Sequence, residues 1–240
     1  MTDDGIIVDA FTELAPGYEE TMDREIRSVW GLSYDQFVER LIEAASLDEN
    51  EVNAVLDVAT GTAFIPRKLA EKAGANSRIV GLDITQAMLE HGQKMVETAG
   101  SSSRIQLVCA SAMAMPFAEG FFDVVICGLG THHMDVPRML SEMRRVTKTG
   151  GTLVIAEAGP APLWRSFLGS ALLRILLFIY RLRYMSAVRV QAEQEAFLNL
   201  HTAAEWRTML SGFGFADIDV VEFRAHRPWY PCALVMKAVT

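Results

Sequence analysis

Two aspartates 26 residues apart, Asp57 and Asp83, and an adjacent pair of histidines, His132 and His133, are the residues best placed to do chemistry in this chain. In VLDVATGTA (55–63) an apolar run delivers Asp57 and is followed by small residues, among them Ala59, Thr60 and Gly61. Small residues let backbone come close to a ligand, and glycine takes conformations that other residues avoid. In GLDIT (81–85) a second apolar run ends on Asp83. An acid there accepts hydrogen bonds from both hydroxyls of a ribose, and it can equally cap the helix that follows. The pair indicates a ligand containing a nucleoside without saying which one; the alternative is a tight strand-to-helix turn that holds no ligand. Imidazole titrates near the working pH, so His132 or His133 suits removal of a proton from a phenol or an acidic carbon. Either can instead cap or pack on the next helix. The sequence does not separate the two, and His133 is the first choice. No metal site is expected from the pair: the nearest acid, Asp135, sits as an N-cap ahead of Pro137.

These residues need a scaffold, and the hydrophobic pattern supplies one. Residues 11–46 read as helices. Strands are expected at 52–58, 78–82, 105–109, 122–128 and 152–156, separated by helices at 65–73, 86–98 and 137–147, with Gly150 and Gly151 as a turn. Strands alternating with helices at this spacing imply a mostly parallel sheet covered on both faces. Residues 160–200 break the rhythm as a long helical insertion. A helix at 202–211 and strands at 217–223 and 232–239 close the chain, the last two as an antiparallel hairpin at the sheet edge.

The chain has 240 residues, half of them hydrophobic and 22% charged, which excludes a wholly disordered protein. A net charge of −8 argues against nucleic acid as a partner, since phosphate neutralisation needs clustered cations. The charge is unevenly placed: residues 1–51 hold 14 acids against three bases, and residues 158–192 hold five arginines and no acid. Three scattered cysteines, Cys109, Cys127 and Cys232, suit reduced thiols. The acidic start, MTDDGIIVDAF, lacks the features of a signal peptide, so a cytoplasmic location is expected. Arg165, Arg174, Arg181 and Arg183 interrupt 163–185, whose uncharged runs fall far below the roughly 18–20 residues of a membrane span.

CASAMAMPF (109–117), FFDVVICGLGTHHMD (121–135) and MLSEMRRVTKTGGTLVIAE (139–157) follow the two acidic motifs. In this order and spacing the set resembles the class I S-adenosylmethionine-dependent methyltransferases, and is most similar to the ubiquinone and menaquinone biosynthesis group and other small-molecule methyltransferases. The resemblance covers 50–157 strongly and the flanks weakly. It implies a Rossmann-like α/β fold with a seven-stranded, mostly parallel sheet whose last strand is antiparallel. The whole forms one domain: a helical cap (1–48), a cofactor-binding core (50–157), a helical lid (158–200), and a closing helix and strand pair (201–240).

The resemblance also implies S-adenosyl-L-methionine as cofactor and S-adenosyl-L-homocysteine as product. Asp57, Ala59, Thr60 and Gly61 would surround the methionine part, Asp83 the ribose, Ile84 one adenine face, and Ala112 and Met113 the other. Gly128 would offer its carbonyl to the ammonium, and Tyr18 would close over the cofactor. Two positions depart from the family pattern. Ala63 stands where a third glycine is usual, and Ser111 where an acid usually binds the adenine amino group. The apolar face of the insertion, with Trp164, Phe167, Leu168, Leu172, Leu176, Ile179 and Tyr180, suits the roof of a pocket for a hydrophobic acceptor. The alternatives, which can coexist with that roof, are a homodimer face and shallow contact with an anionic membrane surface through 163–185. Tyr184, His201, His226, Trp229 and Tyr230 are further pocket candidates. The expected activity is O- or C-methylation of a quinone precursor, polyketide or other secondary metabolite. The alternatives are a cofactor-assisted cyclisation and a non-catalytic binding module.

Overall fold

The structure, a computed structural model, describes residues 4–47, 54–161, 196 and 199–240. The expected insertion, including the 163–185 face, Tyr180 and Tyr184, lies outside the described residues. The sheet has seven strands: β1 (Ala54–Val58), β2 (Arg78–Asp83), β3 (Ile105–Cys109), β4 (Phe122–Gly128), β5 (Thr147–Gly159), β6 (Ala216–Phe223) and β7 (Cys232–Val239). Their order is β3-β2-β1-β4-β5-β7-β6. The first five run parallel, and β7 inserts antiparallel to both β5 and β6. The closing hairpin therefore does sit at the sheet edge, with the later strand on its inner side.

Alternation along each strand divides the core between two helical layers. Leu56, Val80, Val125, Leu153 and Ile155 pack with α6 (Val136–Val146) and α7 (Ala203–Gly212). Their neighbours Val55, Ile79, Val124, Ile126 and Val154 pack with α3 (Tyr34–Ala45), α4 (Phe64–Lys72) and α5 (Gln86–Thr98). Burial on both faces is why these strands read as continuous apolar runs. Ahead of them come α1 (Asp4–Leu14) and α2 (Tyr18–Trp30). The helices start where side chains can supply caps: Ser33 with Gln36, Asp135 with Pro137 behind it, and Thr202 with Glu205.

The Gly150–Gly151 turn is present, but inside β5. The ladder pairs Phe122 with Thr147 and then Val124 with Thr152, so residues 148–151 form a bulge. Gly150 takes φ +76° there. After β3 the chain crosses β1 to begin β4 on its other side, and this reversal opens a crevice at the carboxyl ends of β1 and β4.

Candidate active site

Asp57 lies near the end of β1, fully buried, with Thr60 Oγ1 donating to Oδ2 at 2.6 Å. Its Oδ1 has no hydrogen-bond partner among the described residues. Burial pushes the carboxyl up to about 8, against the pull of the Thr60 bond and with a further push from Asp83. The turn that follows holds Ala59, Gly61 and Ala63 at φ +58°, +55° and +60°. Its geometry is fixed from β2: Asp83 Oδ2 accepts from the Gly61 N–H and Oδ1 from the Thr85 N–H, each at 2.8 Å. Burial raises the Asp83 carboxyl, and those backbone bonds draw it back. Asp83 thus ties the small-residue turn to the end of the next strand.

Around this turn lies a cavity of about 670 Å³, its mouth included. Its wall brings together Tyr18, Ala59, Gly61, Asp83, Ile84, Ser111, Ala112, Met113, Gly128 and His133. Asp57 and Thr60 stand behind that wall, not on it. A Cβ on Gly61 would lie 3.1 Å from the Met88 Cε and 3.6 Å from the Tyr18 ring, and one on Gly128 would lie 2.7 Å from Ile65 Cδ1. Ser111 Oγ accepts from the Met113 N–H at 3.3 Å, closing its own turn while it faces the cavity. Desolvation, then Asp83, Glu25 and Asp57, push the Tyr18 phenol well above its ordinary value, so it stays a neutral donor.

A second cavity, about 850 Å³ with its mouth, shares Phe11, Tyr18, Leu129 and His133 with the first. Leu14, Met22, Ile26, Val29, Trp30, Leu200 and Pro231 make most of its remaining wall apolar, and His132 and Glu25 also line it. His132 Nδ1 lies 2.8 Å from Glu157 Oε1. His133 is packed edge-on by Phe11, with ring centroids 5.2 Å apart. Its Nδ1 is buried without a hydrogen-bond partner among the described residues, and burial, followed by the neighbouring His132, drives its pKa well below the ordinary value. The two histidines therefore differ: His132 belongs to the second cavity and a carboxylate, while His133 is a neutral wall between the two.

A model of the ubiE/COQ5 methyltransferase family matches residues 9–165. The chain belongs to that family. It is 32% identical over 172 residues to a demethylmenaquinone methyltransferase of Geobacillus stearothermophilus, covering 69% of this chain and 71% of that one. It is 45% identical over 103 residues to a demethylmenaquinone methyltransferase of Bacillus velezensis, a match spanning 42% of this chain and 44% of that protein. A ubiquinone/menaquinone biosynthesis C-methyltransferase UbiE of Geotalea uraniireducens is 27% identical over 88% of each chain. Among solved structures, a SAM-dependent methyltransferase from Aquifex aeolicus superposes with a TM-score of 0.61 at 16% identity, over 92% of this chain and 96% of that one. Geranyl diphosphate C-methyltransferase from Streptomyces coelicolor, solved with S-adenosyl-L-homocysteine, gives 0.63 at 13%, over 84% and 77%. Those likenesses show the fold. The protein is an S-adenosylmethionine-dependent methyltransferase, and these relatives give no support to a cyclisation.

The residues of the first cavity fit this cofactor. A glycine-walled cradle, a carboxylate at the end of β2, and apolar groups on Ile84 and Met113 suit an amino acid, a ribose and a base in turn. At Ala63 the methyltransferase keeps the left-handed backbone that the usual glycine would take, at about 1 kcal/mol for an L-residue.

Several residues of the site escape sequence reasoning. Phe11 bridges both cavities. Glu19 accepts from Thr62 Oγ1 at 2.9 Å and pairs with Arg67 at 2.5 Å, fastening α2 to the small-residue turn after β1. Trp30 Nε1 donates to the Pro231 carbonyl at 2.8 Å, fastening the other end of α2 to the β6–β7 loop. Glu157 and Asn199 grip the histidine turn. The only advance signal was the acidic, helical character of the N-terminus. Of the remaining candidates, His201 packs on Trp206 and His226 on Tyr230, and neither they nor Trp229 line either cavity.

Proposed function

We propose that this methyltransferase moves a methyl group to a hydrophobic quinone precursor in its quinol form, at a ring carbon or a hydroxyl. One observation carries the reading. The first cavity continues through Phe11, Tyr18, Leu129 and His133 into a larger, mainly apolar cavity, with His133 at the junction and His132 just beyond it. The names of the demethylmenaquinone and UbiE relatives support the same substrate class.

S-adenosylmethionine supplies, when bound, a methyl group on a positively charged sulfur. The protein's work is to hold both molecules in line and keep water out. Asp83, at the end of β2 on the wall of this cavity, accepts the ribose hydroxyls. Ile84 packs one adenine face, Ala112 and Met113 the other, and the Ser111 hydroxyl takes the amino group without charge. The Ala59–Gly61 backbone and the Gly128 carbonyl hold the methionine part, with Asp57 and Thr60 setting the shape of that turn from behind. Trp30, Met22 and Ile26 shield the acceptor. A quinol hydroxyl must lose its proton to become a good nucleophile, which calls for a base at the junction.

The test is to incubate the purified full chain with S-adenosylmethionine and a short-chain demethylmenaquinol under reducing conditions. A mass gain of one CH2 group is expected. If neither that quinol nor a demethylated ubiquinol precursor gains mass while the cofactor binds, the quinone assignment fails.

A further inference from the structure

We propose that Glu157 is a positioning residue that makes His132 the base of the transfer. The inference rests on the methyl-transfer reading above. It comes from how many donors converge on one buried carboxylate. Glu157 is 1% exposed, near the end of β5. Oε1 accepts from the Ala158 N–H at 2.7 Å and faces His132 Nδ1 at 2.8 Å. Oε2 accepts from Thr131 Oγ1 at 2.6 Å and from the His132 N–H at 3.3 Å. A buried carboxyl is ordinarily driven towards its neutral form. Here burial raises the pKa, but the His132 charge and these bonds outweigh it, and Glu157 stays below its usual value. An ionised carboxylate is thus built in against one imidazole.

That contact fixes the ring. Nδ1 carries a proton towards Glu157, so in the neutral ring the lone pair is at Nε2. Asn199 holds the same turn from outside, donating to the His132 carbonyl at 3.2 Å and the Met134 carbonyl at 2.9 Å. His133 has no such carboxylate among the described residues, and its buried Nδ1 and depressed pKa make it a poor proton acceptor. The order expected from sequence, His133 before His132, is therefore reversed.

In the transfer, the acceptor's hydroxyl proton passes to His132 Nε2, and the freed electron pair forms the bond to the methyl carbon, at the oxygen or at a conjugated ring carbon. The carbon–sulfur bond breaks with its pair left on sulfur. In the ring-carbon case the ring hydrogen then leaves as a proton and the hydroxyl is restored. Glu157 remains ionised opposite the imidazolium, which later releases its proton to solvent.

Two measurements test this. Nitrogen-15 NMR of the native protein should show His132 as the Nδ1–H tautomer, and Glu157→Gln should lower its pKa by at least one unit. Among the described residues, Glu157 on β5 and His133 on its own turn meet this imidazole, and Glu25 of α2 lines the same cavity; His201 and Cys127 lie within electrostatic reach of Glu157. Only Glu157 changes in the variant. An Nε2–H tautomer, or an unshifted titration, overturns the proposal whether or not any quinol is turned over. In turnover of short-chain demethylmenaquinol, Glu157→Gln and His132→Ala should each lower kcat about 100-fold or more with little change in KM. The double variant should be no worse than either alone, and the acidic limb of the Glu157→Gln profile should move to lower pH. Retention of kcat within threefold in Glu157→Gln also overturns it. Failure of the wild type to turn over the quinol counts against the substrate class alone.

Discussion

The substitution Asp57→Asn should change the sign of its effect on stability as pH changes. The side chain is fully buried, and its carboxyl is pushed from an ordinary 3.8 up to about 8 by burial. The folded state thus binds a proton that the unfolded state has already released above about pH 4. The stability contributed by this site is complete below the unfolded pKa and is lost as pH rises through the folded one. At pH 7 the gap from 3.8 spans about three pH units, a loss of roughly 4 kcal/mol. The asparagine of the variant does not titrate and escapes that loss. Its amide can keep the Thr60 bond at Oδ2, but it then places an N–H2 where Oδ1 has no partner among the described residues. An unsatisfied buried donor costs about 1–3 kcal/mol at any pH. The variant should therefore be more stable than wild type by about 1–3 kcal/mol at pH 7 and less stable near pH 4, with the two curves crossing between about pH 4.5 and 6. For a chain of this size that is a rise in Tm of several degrees at neutral pH, roughly 2–4 °C per kcal/mol. Thermal unfolding by circular dichroism at matched pH values, without cofactor, reads the difference directly. If the difference does not vary with pH, Asp57 is ionised in the fold and the argument fails. A cationic cofactor nearby should restore the carboxylate, so binding at pH 7 should release a proton, detected by calorimetry in buffers of different ionisation enthalpy.

Two further substitutions test the cofactor cavity. Asp83→Ala should weaken S-adenosylmethionine at least tenfold by calorimetry, about 1.4 kcal/mol or more; unchanged affinity removes Asp83 from the ribose. Glu19→Gln should loosen α2 from the cofactor turn by breaking its pairing with Arg67, lowering stability by about 1 kcal/mol and speeding cofactor dissociation. Dissociation at the wild-type rate in a competition trace would show that this contact does not restrain the cofactor.

Local signals made most of the sheet legible. The strands at 122–128 and 232–239 fall where the apolar runs do, because most of their residues are buried on one face or the other. The start of β5 was hidden, since a Gly-Gly pair reads as a turn whether it ends a strand or bulges within one. The place of β7 was hidden too. A hairpin pattern fixes which strands pair with each other, and the family resemblance adds that the last strand is antiparallel; its place beside β5 comes from the structure. In the site, Asp57, Asp83, Ser111 and Gly128 announce themselves because each closes a strand or opens the turn after it. Glu157 does not. It reads as the polar end of an apolar run, and its meaning comes from register: Gly128 pairs with Ala156, so the next residue of β5 arrives beside the turn that carries both histidines. Phe11, Glu19 and Asn199 are silent for the same reason, being brought to the site by packing between segments far apart in the chain.

The acidic N-terminal region gains a definite partner from this packing. The region carries 14 acids against three bases over residues 1–51. Among the described residues, cations that meet it stand on α4, directly after the small-residue turn that follows β1. Glu19 pairs with Arg67 and Asp35 with Lys68 at 2.5 Å, and Glu39 with Lys72 at 3.7 Å. The last two pairs are exposed and contribute little to stability on their own. Their value is in placement: α4 is the helix that the small-residue turn opens, so cations along it meet the N-terminal helices beside that turn. The innermost pair, Glu19 with Arg67, is the least exposed, and its carboxylate also accepts from Thr62 within the turn itself. Tyr18, one residue earlier, is then brought against Gly61. Charge complementarity along α4 thus ends in a contact with the small-residue turn, which is how N-terminal helices remote in sequence come to form a wall of both cavities.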